Sequence, residues 1–362
     1  IMSRLKVDNI ETRSGNNVSM DDPLKLKTYT TTQRDALSSP QAGDTIYNST
    51  TGTIDFYNGT AWFATSATTY VTAVDYLVVA GGGGTGYYYG GGGGAGGLRS
   101  TVGNTGGGGT LETALTVTDG NTVTVTIGAG GSNSAGQGTD SVFSSITSIG
   151  GGGGGRTSPN TTADNGGSGG GGSYGTTPGG SGTTNQGYAG GTASSQSASQ
   201  RATSAGGGGA GAVGQNSPNY DHGGDGGIGV ICNILSASNA NTRSVGEVDG
   251  SNVYYAGGGG GTNGDQSTGN PGDGGKGGGG DGFDNTNDGT NYASYDSGDA
   301  NTGGGGGGVP GAGTTGGSGV VILKYPNTKT ISVGAGLTST TDTEGSNKIT
   351  VFTAGTGNVS WS

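Results

Sequence analysis

The sequence predicts a mainly β protein that contains polyglycine II helices and almost no α-helix. Glycine accounts for 92 of the 362 residues, and much of it lies in nine uninterrupted runs of four to six. Glycine loses more backbone freedom on folding than any other residue and adds no side chain to a core. Such runs become ordered only if their N–H and C=O groups bond to neighbouring runs, as in an extended helix with three residues per turn. The β-branched and aromatic segments beside the runs predict the strands.

Composition divides the chain into residues 1–70, 71–326 and 327–362. The first region combines a polar start with a short candidate helix, capped by Thr31 or Thr32, and a small N-terminal β meander anchored by Trp62. The last region returns to β patterning and predicts a small C-terminal β unit. Within residues 1–70, the predicted helix covers 33–37 and the predicted strands of the meander cover 44–48, 53–57 and 61–63.

The central region, a glycine-rich sandwich, is bracketed by the apolar segments 74–80 and 319–325, which we expect to pair as strands. Between them, segments 115–118 and 122–127 flank Asp119 and Gly120 and predict a bulged hairpin. Short β pieces also precede glycine runs, so the recurring unit is a strand, a polyglycine helix and a polar loop. The units follow no fixed sequence period, which argues against a solenoid.

Charge and hydropathy argue against several classes of protein. The net charge is −11 and no basic stripe is present, which argues against a nucleic-acid partner. The longest apolar stretches are far shorter than the roughly 20 residues that cross a bilayer, so we expect no membrane insertion. No apolar signal-peptide core follows Ile1, and secretion by the usual route is not expected. The single cysteine, Cys232, allows no internal disulfide and lies in an apolar segment that predicts burial.

Two parts of the chain carry recognisable sequence patterns. Segments 5–15, 29–37, 46–51 and 57–62 are similar to the base segment of the tail fibres of bacteriophages, especially marine phages. Segments 75–80 and 317–322, which bracket the glycine runs, are similar to the glycine-rich domain of phage fibres and adhesins. The resemblance implies a sandwich of polyglycine II helices that presents polar loops for recognition of a host surface.

The resemblance also implies a location and partners. The protein is expected in the virion tail or fibre, docked to other virion proteins through residues 1–70. The glycine-rich domain would face a host receptor, either a glycan or an outer-membrane protein. A homotrimer is expected, since the small β segments are poor in apolar residues.

The segments between the glycine runs have the composition of binding loops. They are rich in Ser, Thr, Asn, Asp and Gly, with tyrosines that supply stiff amphipathic contact area. The candidate loops are 157–165, 173–188, 215–225, 262–273 and 283–299, and the candidate receptor contacts are Tyr174, Tyr188, Tyr220, Phe283, Tyr292 and Tyr295. Any surface carries polar loops, so two alternatives remain open. One is a purely architectural virion appendage or capsid fibre, and the other is a bacterial extracellular glycine-rich filament.

The motifs in the sequence predict neither an enzyme nor a cofactor. His222 is the only histidine, and the matches to nucleophile-elbow and phosphate-loop patterns lack the strand and helix or the hydroxyl residue that those sites need. Asp281, Asp284 and Asp288 form a weak calcium candidate. The pattern does not complete a calcium nonapeptide, and Tyr295 stands where an EF-hand needs glutamate. We therefore expect no bound metal.

Overall fold

The structure, a computed structural model, is mainly β and describes residues 25–65, 71–87, 89–157, 160–175, 177–194, 203–218, 222–263, 270–283, 296–311 and 313–362. The chain divides into two compact units, with the boundary between Thr69 and Tyr70. The predicted segment 5–15 lies outside the described residues.

Unit 1 is a small sheet with one short helix. Its elements are β1 (Thr28–Tyr29), α1 (Thr31–Asp35), β2 (Thr45–Asn48), β3 (Thr53–Tyr57) and β4 (Trp62–Ala64), with the strands in sequence order. The antiparallel β2, β3 and β4 form the predicted meander, while β1 pairs with β2 in parallel. The helix starts two residues earlier than predicted because Thr30 is its N-cap, accepting a hydrogen bond from the N–H of Gln33. Trp62 is half-buried, and its ring centroid lies 5.4 Å from that of Tyr57.

Unit 2 joins a large sheet to the glycine-rich segments. Its elements are β5 (Val71–Val79), β6 (Leu98–Ser100), β7 (Leu115–Thr118), β8 (Val123–Thr126), β9 (Ser141–Phe143), β10 (Ile146–Ser148), β11 (Arg156–Thr157), β12 (Asn160–Thr161), β13 (Val230–Ile231), α2 (Ala237–Arg243), β14 (Glu247–Asp249), β15 (Asn252–Tyr255), β16 (Val320–Pro326), β17 (Ile331–Val333), β18 (Leu337–Glu344) and β19 (Asn347–Trp361). The helix α2, capped by Ser236, was not predicted.

The large sheet is built around three long strands. Antiparallel pairing of β5 with β16, which sets Val79 opposite Val320, confirms that the two apolar segments bracket the glycine-rich region. The order β10-β9-β8-β19-β16-β5-β6 curls into a nearly closed, barrel-like sheet. One apolar cluster, which includes Tyr76, Phe352 and Trp361, packs on one face of the central strands. A second cluster joins the opposite face to β13, β15 and α2.

One sequence-based expectation differs from the structure. The predicted hairpin at 115–127 is wrong, because β7 pairs with β5 and β8 pairs with β19 and β9. The turn between β7 and β8 is hydrogen-bonded to β19 and β5 instead. Gly120 N–H donates to the carbonyl of Trp361, and the hydroxyl of Thr72 donates to Asp119. The small C-terminal β unit predicted at 327–362 consists of β17, β18 and β19, which join the large sheet. The fifteen-residue β19 bridges both halves of that sheet, which ties the C-terminus into unit 2.

The glycine runs bond sideways to one another with a period of three. Segment 91–97 is neither helix nor strand, and its N–H groups donate in rotation to three neighbouring segments at 2.8–3.0 Å. The three series are Gly91, Gly94 and Gly97 to Gly155, Gly152 and Ile149; Gly92 and Ala95 to Ala205 and Gly208; and Gly93 and Gly96 to Gly306 and Gly303. A partner that recurs at every third residue is the pattern expected of the predicted polyglycine II helices.

Close approach of these segments explains why they need glycine. A Cβ built on Gly93 would lie 2.1 Å from the carbonyl oxygen of Gly83, and one on Gly259 would lie 2.0 Å from that of Gly306. Any side chain at these positions would force the neighbouring backbones apart. The run 106–109 differs from the others, because it forms a 3-10 turn in which Gly107 has a φ of 63°. We call the segments that bond in this lateral manner the glycine bundle.

Candidate functional site

The segments of the glycine bundle have two distinct ends. At one end they continue into strands of unit 2, as Gly97 does into β6 and Gly319 into β16. At the other end, segments that flank the predicted loops terminate side by side. The contacts between these terminating segments are Thr85 N to Thr314 O, Ser204 N to Thr262 O, Phe283 N to Gly308 O and Gly223 N to Asn270 O, all at 2.8–3.1 Å. We call this second end the loop end.

Buried hydroxyl side chains line the loop end. We define the Ser/Thr layer as the side chains of Thr85, Ser173, Ser204, Ser217, Thr262 and Thr314, each at most 3 % exposed. These residues lie at the ends of the glycine segments. Their hydroxyls can therefore bond to backbone groups at positions where the hydrogen bonds between glycine segments end.

The hydrogen bonds of the Ser/Thr layer join backbones from different segments. The Thr314 hydroxyl donates to Gly307 O at 2.7 Å and lies 3.0 Å from the Thr85 hydroxyl. The Ser204 hydroxyl donates to Gly90 O at 2.9 Å and accepts from Thr262 N–H at 2.8 Å. Each hydroxyl therefore fixes the point at which a connecting segment leaves the bundle.

The predicted receptor-contact residues occupy different environments. Tyr174 follows Ser173 of the Ser/Thr layer and is 39 % exposed, so it is available for contact at the loop end. Phe283 is only 8 % exposed, which places its side chain among packed residues. Tyr220, Tyr292 and Tyr295 lie outside the described residues, as do the parts of the predicted loops at 264–269 and 284–295.

Tyr188 lies away from Tyr174, in a shallow groove on the flank of unit 2. It is half-buried, with its hydroxyl beside Gly108, and the groove has a volume of about 380 Å³. Ile228 and Tyr254 line the same groove, and the ammonium of Lys276 lies 5.6 Å from the ring centroid of Tyr254. The structure therefore does not bring the predicted tyrosines that it describes into one cluster.

The calcium candidate is described only at Asp281. Its carboxylate accepts a hydrogen bond from the N–H of Gly274 at 2.7 Å, while Asp284 and Asp288 lie outside the described residues. Burial, together with the charges of Asp225 and Asp281, raises the pKa of Asp273. Across the described ranges, no group of three or more His, Cys, Asp or Glu side chains is placed to hold a metal ion.

Cys232 is completely buried, as its apolar setting predicts. Its thiol donates to the carbonyl of Val102 at 3.2 Å, and burial raises the pKa of the thiol. A higher pKa leaves less of the nucleophilic thiolate at neutral pH, which fits a packing role. Neither α-helix of the described residues has the length and apolarity needed to span a membrane.

Sequence reasoning did not identify the Ser/Thr layer. The signal that could have found it is the hydroxyl residue at the boundary of several glycine runs, as at Thr85 after Gly84 and Thr262 after Gly261.

A family model described as a glycine-rich domain matches residues 58–326. The chain belongs to this glycine-rich domain family. The match covers the glycine bundle and the strands β5 to β16, which are the parts that hold the loop end in place. Neither the curated proteins nor the solved structures gave a match to the chain.

Proposed function

We propose that this protein is a structural component of a bacteriophage virion, a tail fibre or adhesin, and that its loop end attaches to the host cell surface. The observation that carries the proposal is the convergence of the glycine segments at one end of a laterally bonded bundle. The connecting segments at that end are polar and differ in length and sequence, as recognition loops do. Because the bundle is held by hydrogen bonds between backbones, the side chains of the connecting segments can vary without removing those bonds.

The proposal assigns a separate role to each unit. Unit 1 attaches the chain to other virion proteins and supports a homotrimer, and the protein acts outside the cell as part of the tail or fibre. The loop end binds a glycan or an outer-membrane protein, with Tyr174 as the described residue best placed for contact. Tyrosine at this position offers a rigid amphipathic surface at low entropic cost.

Binding of the fluorescently labelled full-length protein to candidate host cells tests this function. One variant replaces residues 264–269 and 284–295 with Gly/Ser segments of equal length, and a second carries Tyr174→Ser. A control carries Val213→Ser, in a turn near Ala210, away from the loop end, where Val213 is 58 % exposed. We expect at least tenfold weaker labelling with the loop variant, a smaller loss with Tyr174→Ser and no change with the control.

A purely architectural role in a virion appendage or capsid fibre is the second candidate. The specific observation in its favour is that the predicted contact residue Phe283 is buried and Tyr188 lies on the flank. Equal labelling of host cells by the intact and loop-replaced proteins, with both folded, would favour this role over attachment. A bacterial extracellular filament would be favoured if the protein labelled no host but assembled into fibres on its own.

A further inference from the structure

The small sheet of unit 1 exposes a contiguous apolar surface. Cross-strand pairing sets Tyr47 opposite Ile54 and Phe56 opposite Phe63, and these side chains are 40–46 % exposed. The rings of Phe56 and Phe63 stack, with centroids 5.7 Å apart. Thr45, opposite Phe56, lies on the same side of the sheet. We call Thr45, Tyr47, Ile54, Phe56 and Phe63 together the apolar face.

The other side of this sheet buries polar side chains instead. Asn48 and Asp55 are both fully buried, and the carboxylate of Asp55 accepts hydrogen bonds from Asn48 at 2.8 Å and from Arg34 at 2.7 Å. Ile46 is the one apolar side chain that the described part of unit 1 buries. The usual arrangement, with apolar groups inside and polar groups outside, is therefore inverted.

A unit of this size with so little apolar burial needs support from elsewhere. Small units obtain it from disulfides, from metals or from association with another chain. The sequence contains a single cysteine, Cys232, and it is buried in unit 2, so a disulfide within the chain cannot supply it. Large exposed apolar patches mark association surfaces.

We propose that the apolar face is a self-association surface, covered in the assembled protein by the same face of neighbouring copies of this chain. The face carries no charged residue, whereas the charged Lys27, Arg34 and Asp55 belong to the other side of the sheet. When the same face of each copy packs around the symmetry axis of a homotrimer, the copies of that face lie against one another, so an uncharged face avoids the like-charge repulsion expected between chains of net charge −11. The inference deepens the homotrimer proposed above and does not depend on receptor binding.

Sedimentation of the full-length protein over a range of concentrations tests this inference. The test variant carries Phe56→Thr and Phe63→Thr, which retain β propensity and remove the stacked rings. The matched control carries Val213→Thr and Ile228→Thr, two exposed apolar positions of unit 2. We expect the unaltered protein and the control to form the same oligomer, and the test variant to associate at least tenfold more weakly. A monomeric unaltered protein, or unchanged association of the test variant, would overturn the proposal.

Cross-linking keeps the inference testable if the double substitution unfolds unit 1. Thr45→Cys places a thiol on the apolar face without removing an apolar side chain, and Ser39→Cys places one at an exposed site away from that face. Since Cys232 is completely buried, a short bis-maleimide reacts at the new thiols. We expect covalent oligomers from Thr45→Cys in at least tenfold higher yield than from Ser39→Cys. Equal yields would mean that the face is covered by something other than another copy, such as a segment of the same chain.

Discussion

Unit 1 and unit 2 distribute their side chains in opposite ways. Unit 2 buries Tyr76, Phe352 and Trp361 to 1 % exposure or less in the core of a large sheet. Unit 1 buries Asn48 and Asp55 and leaves large apolar side chains outside. The contrast shows that unit 2 buries a large apolar core of its own, whereas the described part of unit 1 buries one apolar side chain, Ile46, and we propose that unit 1 is stabilised by association.

Each unit contains one tryptophan, so the unfolding of each unit can be followed separately by fluorescence in the intact chain. Trp62 lies in unit 1 and Trp361 in unit 2. Trp361→Phe leaves fluorescence that reports on unit 1, and Trp62→Phe leaves fluorescence that reports on unit 2. Within the described part of the chain, the indole N–H of Trp361 has no hydrogen-bond partner, so phenylalanine there loses no such bond.

The largest effect is expected from a methyl group inside the glycine bundle. Gly93→Ala would place a Cβ 2.1 Å from the carbonyl oxygen of Gly83, and overpacking against backbone should lower the free energy of unfolding of unit 2 by about 3 kcal/mol or more. Gly311→Ala is the control, because a Cβ there meets no atom of the described residues within 4 Å. Denaturant unfolding followed at Trp361 measures both, and equal stability of the two variants would contradict the close packing described.

Removal of the buried carboxylate should selectively unfold unit 1. Asp55→Ala leaves Arg34 and Asn48 without their shared partner, and breaking a buried ion pair in this way typically costs about 3 kcal/mol. Asp35→Ala is the matched control, since Asp35 contacts the same Arg34 but its side chain is 56 % exposed. Unfolding followed at Trp62 should show a large loss for the first variant and almost none for the second. A loss that appeared equally at Trp361 would contradict the separation of the two units.

Acid should weaken unit 1 through the same carboxylate. Burial opposes ionisation, but hydrogen bonds from Thr53, Asn48 and Arg34 outweigh it and lower the pKa of Asp55. A lowered folded-state pKa stabilises the unit above the unfolded value of about 3.9, and this stabilisation is lost as the pH falls through the folded-state pKa. The melting temperature reported by Trp62 should therefore change little between pH 7 and about 5 and then fall. Asp55→Asn should flatten that fall, and an unchanged profile would contradict the assignment.

The smallest effect is expected at the loop end. Thr314→Val removes the hydroxyl that donates to Gly307 O and should cost unit 2 about 1–2 kcal/mol. Thr315→Val is the neighbouring control, because the Thr315 side chain is exposed and bonds only to the exposed Ser297 hydroxyl at 3.1 Å among the contacts described. Equal stability of the two variants, measured at Trp361, would mean that the Ser/Thr layer does not fix the ends of the glycine segments.

Local sequence patterns predicted the strands well but their partners less well. The apolar segments around Val79 and Val320 are continuous and strongly β-forming, so their existence and mutual pairing could be predicted. The Asp119 and Gly120 turn signal suggested a hairpin, but the long β5 and β19 offered more pairing than two four-residue strands give each other. Such competition between partners distant in sequence is not visible in a local pattern.

The inverted burial of unit 1 was also beyond prediction. Both sides of its strands carry large side chains, with Ile46 and Trp62 on one side and Tyr47 and Phe63 on the other. The alternation of side chains along these strands therefore does not predict which side of the sheet is buried. At the loop end, the composition predicted where loops occur, whereas the burial of Phe283 depends on packing against segments far away in the sequence.

Amide hydrogen exchange of the full-length protein tests the central claim most directly, namely that backbone bonds between glycine runs form a rigid scaffold for the loops. We expect the amides of 91–97 and 257–261 to exchange as slowly as those of β5 and β16, over hours, because each is hydrogen-bonded inside the bundle. Exchange of these glycine amides within seconds, while the strand amides stay protected, would contradict it.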